Sequence, residues 1–319
     1  MLNKKEILDL LQTRNEQALF KRADEVRFEN VGDEVQLRGL IEFSNICRNN
    51  CLYCGIRKGN SKVIRYRMSE KELLEMAQKA IDMGFKTIVL QSGEDMYYDT
   101  SRMCYIIEEI KKSDIALTLS IGERSYDDYK AFRNAGADRY LMRIETTDKD
   151  LYHRLDPNMD WNRRHECLMM IKELGFELGS GIMVGLPNQS MESIADDLLY
   201  LKQIGIDMAG IGPFIPHPET PLIKEKMRIR SNEQESVKTI NAKIKAIIII
   251  PICANAKTAF LLNLSKIAPL KSVKSKAGAN CKVATRLTLK GSFVIISVSH
   301  GSAMTCIHEP IKDKFIPTQ

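Results

Sequence analysis

Three cysteines carry the most distinctive chemistry in this chain: Cys47, Cys51 and Cys54, spaced C-x3-C-x2-C. Thiolate is the soft donor that iron–sulfur chemistry selects. A tetrahedral zinc site wants four ligands, usually as two separated pairs, and no second close pair of cysteines occurs in the sequence. A four-iron cluster held by three cysteines leaves one iron open to a further ligand. Buried structural cysteines, or half of a zinc site completed from elsewhere, are the competing readings of the same spacing. The cluster is the reading it favours. The remaining cysteines are scattered: Cys104 and Cys167 fall in helical stretches and read as small buried apolar residues, and Cys253, Cys281 and Cys306 lie far apart. The five histidines form no ligand pattern and read as structural.

The elements that must position the cysteine loop alternate regularly. Ile7, Leu8, Leu10, Leu11 and Leu19 sit at helical spacing and predict a capping helix over residues 2 to about 22. Residues 35–43 read as a strand, with the cysteine loop directly at its C-terminal end. A helix follows from Ser69 to about Met83, with Ser69 as N-cap and Glu72 as its capping-box partner. The apolar run Thr87-Ile88-Val89-Leu90 is a buried strand that ends in Gln91-Ser92-Gly93-Glu94-Asp95. Helices near 100–113, 126–135, 161–174 and 190–204 then alternate with strands at 116–121, 139–145, 176–184 and 208–214. Such alternation predicts parallel strands joined by right-handed crossovers. The first loop lacks the G-x-G-x-x-G fingerprint of an open doubly wound sheet. The expected fold is therefore α/β, a TIM-type (β/α) barrel with its last two units uncertain, whose C-terminal strand ends form the active face.

Composition divides the chain. Residues 1–34 form the capping region, 35–222 the barrel core, and 223–319 an atypical basic region. The net charge is +6 and the pI near 8.8, yet this excess is local. Between Glu235 and Glu309 there is no acidic residue and there are eleven Lys or Arg, whereas a cytosolic surface normally mixes both signs. Three explanations compete: a nucleic-acid patch, a divergent final pair of βα units, and a shifted reading frame. The patch lacks interleaved aromatics and a binding motif, and the shifted frame is favoured, so no nucleic-acid partner is expected. The longest apolar run, Ala246–Ile250, is far too short to span a membrane, and the N-terminus does not read as a signal peptide. Cysteine usage suits a reducing cytosol. The expectation is a soluble, cytoplasmic protein.

Tyr53 before the third cysteine and Gly55 after it complete a C-x3-C-x-aromatic-C pattern that resembles the radical SAM superfamily. That resemblance implies a 4Fe–4S cluster on Cys47, Cys51 and Cys54 whose open iron chelates S-adenosylmethionine (SAM). It also implies roles for residues around the strand ends. Ser92, Gly93 and Glu94 stand where superfamily members carry a G-G-E-type motif, with Glu94 meeting the methionyl amino group; the alternative is a solvated loop carboxylate. Glu145 can accept from ribose hydroxyls, and Arg164 can pair with the SAM carboxylate in fork geometry, the alternative for both being a structural salt bridge. Thr118 and Ser120 are candidates for the pocket wall. Met183, with the Gly185-Leu186-Pro187 turn, and Tyr53 can pack against adenine, although core packing explains a methionine about as well.

Over residues 37–222 the chain is similar to the HydE family of FeFe-hydrogenase maturases. The specific stretches are Gln91-Ser92-Gly93-Glu94-Asp95, Arg143-Ile144-Glu145-Thr146-Thr147 and Gly212-Pro213-Phe214-Ile215-Pro216-His217-Pro218. Methylornithine synthase and biotin synthase share parts of them. The resemblance implies reductive cleavage of SAM to methionine and a 5′-deoxyadenosyl radical. It further implies a sulfur-bound iron carbonyl–cyanide precursor as substrate, other hydrogenase maturation proteins as partners, and a reductant such as ferredoxin or flavodoxin. A non-catalytic iron–sulfur carrier is the alternative of a different class. HydE barrels carry a seventh and an eighth strand; past residue 223 only Ala277-Gly278-Ala279-Asn280 resembles a fragment of the eighth. Cys281 and Cys306 are too widely spaced for a second cluster, and none is expected.

Overall fold

Six strands lie side by side in chain order, every neighbouring pair parallel. They are β1 (Gly39–Ser44), β2 (Thr87–Ser92), β3 (Ala116–Ser120), β4 (Arg139–Leu141), β5 (Glu177–Val184) and β6 (Met208–Pro213). The structure is a computed structural model that describes residues 2–32, 37–224 and 237–252. A doubly wound sheet reverses its strand order partway. Here each crossover adds its strand to the same growing edge, which is the winding of a (β/α) barrel. All six C-terminal strand ends therefore share one rim. Val89 and Ile88 in β2, and the residues of β5 after Glu177, are buried, as expected for strands covered on both faces.

The helices are α1 (Lys4–Leu11), α2 (Glu16–Val31), α3 (Glu70–Asp82), α4 (Thr100–Lys111), α5 (Tyr126–Asn134), α6 (Lys149–Leu155), α7 (Trp161–Glu173), α8 (Met191–Gln203) and α9 (Val237–Ile252). Ser69 and Glu72 form the expected capping box at the start of α3, and Ser125 and Asp128 form another at α5. The single N-terminal helix expected over 2–22 is two helices. Asn15 breaks it by accepting from the Ala18 N–H as the N-cap of a new helix. The strand expected over 139–145 is cut to three residues, and Glu145 rejoins the sheet only at one bridge to Ile182.

The isoleucine-rich run after residue 236 folds as α9. Ile240, Ile244, Ile247, Ile248 and Ile249 are buried in the main core, where α9 packs on α1, α2, α8, β5 and β6. A helix with apolar residues on most of its faces is one the protein buries. Lys243, itself buried, donates through Nζ to the carbonyls of Leu11 (3.2 Å) and Thr13 (2.7 Å), a cation at the negative end of α1. Residues 35–36 of the expected first strand lie outside the described residues, as do the Ser/Lys-rich stretch 271–276, Ala277–Asn280, Cys253, Cys281 and Cys306. No helix among the described residues is long and apolar enough to cross a membrane.

Candidate active site at the strand rim

The cysteine loop leaves the end of β1 and is tied down from several sides. Arg65 spreads its guanidinium over the carbonyls of Asn45 (2.6 Å), Ile56 (2.7 Å) and Arg57 (2.7 Å). Leu52 N–H donates to the Leu155 carbonyl at the end of α6 (2.8 Å). On the third side the Gln91–Asp95 run presses against it: Gly93 N–H donates to the Ser44 carbonyl (3.0 Å), and Glu94 N–H lies 3.4 Å from Cys47 Sγ. A side chain at Gly93 would start 2.3 Å from the Ile46 carbonyl oxygen and 2.8 Å from Cys47 Cβ. Only glycine lets the two loops meet this closely. Gly55, after the third cysteine, is roofed by the His217 ring of the loop that follows β6.

Asp95, at the end of the same run, is a structural anchor. It accepts both arms of Arg67 (2.7 and 2.7 Å) and the Ser44 hydroxyl (2.7 Å). Burial alone would raise its carboxyl; Arg67, Ser44 and the Tyr97 N–H together outweigh that and hold it below its ordinary value. Because the folded-state pKa is depressed, this stabilisation is present above the unfolded carboxylate range and is lost as pH falls through it. Arg67→Met is expected to lower stability by about 2 kcal/mol at neutral pH. The gap between variant and parent should close as pH drops below about 4, measured by urea midpoints across that range. A pH-independent gap would assign the loss to packing instead.

Glu94 and Arg164 both reach the rim, and both already have partners. Glu94 is buried; its Oε2 accepts from Arg48 Nε (2.9 Å) and its Oε1 from Glu123 N–H (2.9 Å). It lies against Gly122, whose φ of +80° and closeness to the Glu94 side chain leave no room for a Cβ. Arg164, on α7, pairs through Nε with Glu123 (2.7 Å) and donates through Nη1 to the Arg143 carbonyl (3.0 Å). Its Nη2 donates to Met159 Sδ, at 3.7 Å. Ser92 turns its hydroxyl to the Gly93 carbonyl (2.7 Å).

Glu145 stands in an unusual turn. Its φ is +66°, and Thr146 N–H donates to the Ile144 carbonyl at 2.9 Å. A three-residue turn with this backbone is rare and strained, and a non-glycine residue holds such a conformation at a cost of about 1–3 kcal/mol. The turn sends one carboxylate oxygen to Arg143 Nε (3.3 Å). The other, Oε2, is buried with no hydrogen-bond partner among the described residues.

That orphan has company. Among the described residues Thr118 Oγ1 and Tyr152 Oη are likewise buried without a hydrogen-bond partner, and the buried Asp156 carboxyl has the Cys51 thiol and the Tyr53 hydroxyl beside it. Tyr152 and Asp156 lie one turn apart at the end of α6, with Cys51, Tyr53, Glu145 and Arg164 as electrostatic neighbours of Asp156. Burial pushes the Asp156 carboxyl up to about 6. Burial, and then Asp156, push the Cys51 thiol well above its ordinary range. An apolar wall completes the rim: Met183, Leu186, Leu151, Leu155 and Phe214 form their own small cluster, with Tyr53 packed on it. Gln189 holds the Gly185–Pro187 turn beside Met183, accepting from Gly185 N–H (2.7 Å) and donating to the Met183 carbonyl (3.0 Å).

Sequence reasoning passed over Asp156, Tyr152, Glu123, Arg143 and Gln189. The only signal for Asp156 and Tyr152 was Asp148 as the N-cap of a seven-residue helix. The spacing of Cys104 and Cys167 was read correctly as helical; Cys167 is fully buried and Cys104 partly so.

A rim with three thiols on one loop, buried polar atoms lacking partners and an apolar wall is built to receive a large polar ligand beside a metal group. The Radical SAM superfamily pattern matches residues 41–201, and the chain belongs to that superfamily. It is 52% identical over 222 residues to the [FeFe] hydrogenase maturase subunit HydE of Thermotoga maritima, covering 70% of this chain and 64% of that one. It is 30% identical over 233 residues to the 3-methylornithine synthase of Methanosarcina acetivorans, covering 72% of this chain and 65% of that one. The chain thus spans slightly under two thirds of the length of these relatives. Among solved structures, methylornithine synthase (PylB) superposes with a TM-score of 0.70 at 23% identity, covering 86% of each chain. The FeFe-hydrogenase maturase HydG from Carboxydothermus hydrogenoformans superposes with a TM-score of 0.69 at 22% identity, covering 84% of this chain and 63% of that one. Both share the barrel fold.

Membership implies a 4Fe–4S cluster and SAM, and the donor set fits them. Among the described residues no three His, Cys, Asp or Glu side chains converge as a single metal ion requires. A cube-shaped cluster makes no such demand, because each thiolate binds a different iron.

Proposed function

We propose that this chain is a HydE-type radical SAM enzyme acting in assembly of the diiron unit of FeFe hydrogenase. Cys47, Cys51 and Cys54 are its cluster ligands. The observation that carries the reading is the 52% identity to the Thermotoga maritima HydE over the barrel region. When bound, the reduced cluster and SAM supply a 5′-deoxyadenosyl radical for abstraction chemistry.

The chain's own residues bind and orient. Glu145 offers its unpartnered Oε2 to a ribose hydroxyl. Glu94 would hold the methionyl ammonium, and Arg164 would hold the carboxylate through Nη2. Tyr53 and Met183 supply the apolar wall for adenine and exclude water. Ser92, Gly93 and Thr118 complete the floor of the SAM pocket. The substrate in this reading is a sulfur-bound iron carbonyl–cyanide complex. The reductant is a ferredoxin or flavodoxin, and the other hydrogenase maturation proteins are partners, all in the cytoplasm.

The 30% identity to a methylornithine synthase makes lysine the substrate to test against. Anaerobically reconstituted, dithionite-reduced protein is mixed with SAM and either the iron complex or lysine. The expected result is a several-fold rise in 5′-deoxyadenosine with the iron complex and none with lysine. The reverse would assign the chain to the methylornithine synthase class. A loaded cluster with no SAM cleavage at all would make it an iron–sulfur carrier.

A further inference from the structure

The strained turn at Glu145 is braced from outside the barrel. Asp197, on α8, is fully buried. Its Oδ1 accepts from Thr147 N–H (2.5 Å), the Thr147 hydroxyl (2.7 Å) and the Thr146 hydroxyl (3.4 Å). Its Oδ2 is buried without a partner, and no cation pairs with Asp197 among the described residues. Burial pushes this carboxyl up to about 7 against the pull of those donors. A buried carboxylate with no counter-ion is a poor way to stabilise a fold, and an apolar residue at this core-facing position of α8 would pack without that penalty. What the carboxylate supplies is one oxygen that gathers the two residues directly after Glu145. From there the order continues. The Thr146 hydroxyl accepts from Asp148 N–H (3.2 Å), Asp148 caps α6, and the Thr146 carbonyl accepts from Trp161 Nε1 (3.1 Å).

We propose that Asp197 is a positioning residue for Glu145: it clamps Thr146 and Thr147, holds the positive-φ turn, and so keeps the Glu145 carboxylate aimed at the pocket. The inference rests on the reading of Glu145 as a SAM contact. It adds that this contact depends on a side chain of an outer helix that touches no ligand. Strained backbone at a binding site persists only where its surroundings over-determine it: β5 holds the Glu145 N–H and carbonyl through Gly181 and Met183, and Asp197 holds the two residues that follow.

The test is a double-mutant cycle on cluster-loaded protein, reading the SAM dissociation constant for the parent, Glu145→Ala, Asp197→Ala and the double variant. Both single variants are expected to weaken SAM binding about ten-fold or more, and the double variant no further than Glu145→Ala alone, with iron content unchanged. In cluster-free protein, Asp197→Ala should speed hydrogen exchange at the Thr147 amide, a readout independent of loading. Asp197→Asn keeps an acceptor oxygen and should recover most of the affinity. If Asp197→Ala folds poorly, Thr147→Val removes one of the three donors and should move both readouts the same way by less. Losses that add in the double variant would overturn the proposal in favour of a general structural role. Parental SAM affinity in Asp197→Ala, beside a weakened Glu145→Ala, would overturn it outright. Parental affinity in Glu145→Ala would remove the reading of Glu145 as a SAM contact, and the proposal with it.

Discussion

Cys51→Ala is expected to reduce both iron uptake and 5′-deoxyadenosine formation to background while the fold survives. The reasoning separates chemistry from packing. The Cys51 side chain is only partly buried, with Met159 Sδ 3.9 Å from its sulfur and the Asp156 carboxyl beside it. Removing the sulfur therefore costs the folded chain little, within about 1 kcal/mol. Removing one of three thiolates from a cluster that needs all three costs it the cluster. The measurement pairs iron and sulfide content after anaerobic reconstitution with 5′-deoxyadenosine formed in the presence of dithionite and SAM, and with the urea midpoint of the cluster-free protein. A variant that keeps parental iron content would sink the assignment of Cys51 as a ligand. A variant that loses iron because it has unfolded would show it in the urea midpoint. Parent protein that holds iron but yields no 5′-deoxyadenosine would favour the iron–sulfur carrier over the enzyme.

Much of this architecture was legible because it is written in short-range patterns. The run Thr87–Leu90 followed by Gln91–Asp95 announces a strand and the loop at its end, and the Ser69/Glu72 pair marks a helix start to the residue. What escaped are features created by contacts across the fold. Glu145 was legible as a carboxylate at a strand end, yet nothing in Ile144-Glu145-Thr146 signals a positive-φ turn; the contacts that hold it come from far along the chain, Gly181 and Met183 on Glu145 itself and Asp197 on Thr147. Arg65 looks like any basic loop residue until its guanidinium is seen filling carbonyls of the cysteine loop. α6 is too short for periodicity to detect, although it brings Tyr152 and Asp156 to the site. The isoleucines of α9 read as a loss of rhythm because a helix buried on most sides has no polar face to mark its period. Arg164 and Glu94 were recognised by type and place. Their pairing to Glu123 and Arg48 was not, and it means that SAM binding by this reading exchanges ion pairs rather than filling empty positions.

Gly93→Ala should damage both the fold and the cysteine loop. The added Cβ would lie 2.3 Å from the Ile46 carbonyl oxygen and 2.8 Å from Cys47 Cβ. The first of these is backbone, so no side-chain rotation relieves the overlap. Either β2's end backs away, breaking the Gly93 N–H bond to the Ser44 carbonyl and loosening the Asp95 anchor two residues on, or the cysteine loop moves and carries Cys47 with it. Overpacking of this kind costs about 1–3 kcal/mol, and the upper end is expected because the nearest contact is a backbone carbonyl. Gly212→Ala is the control: it lies in β6 on the same sheet, has nothing within 4 Å of its added Cβ, and should leave stability unchanged or raised by about 0.5 kcal/mol. Urea midpoints of the cluster-free proteins read the packing cost, and iron content after reconstitution reads the displacement of Cys47. The expected pattern is a large loss in both for Gly93→Ala and in neither for Gly212→Ala. Parental stability and full iron loading in Gly93→Ala would mean that the two loops do not approach as closely as the structure places them, and that Gly93 owes its identity to something other than contact with the cysteine loop.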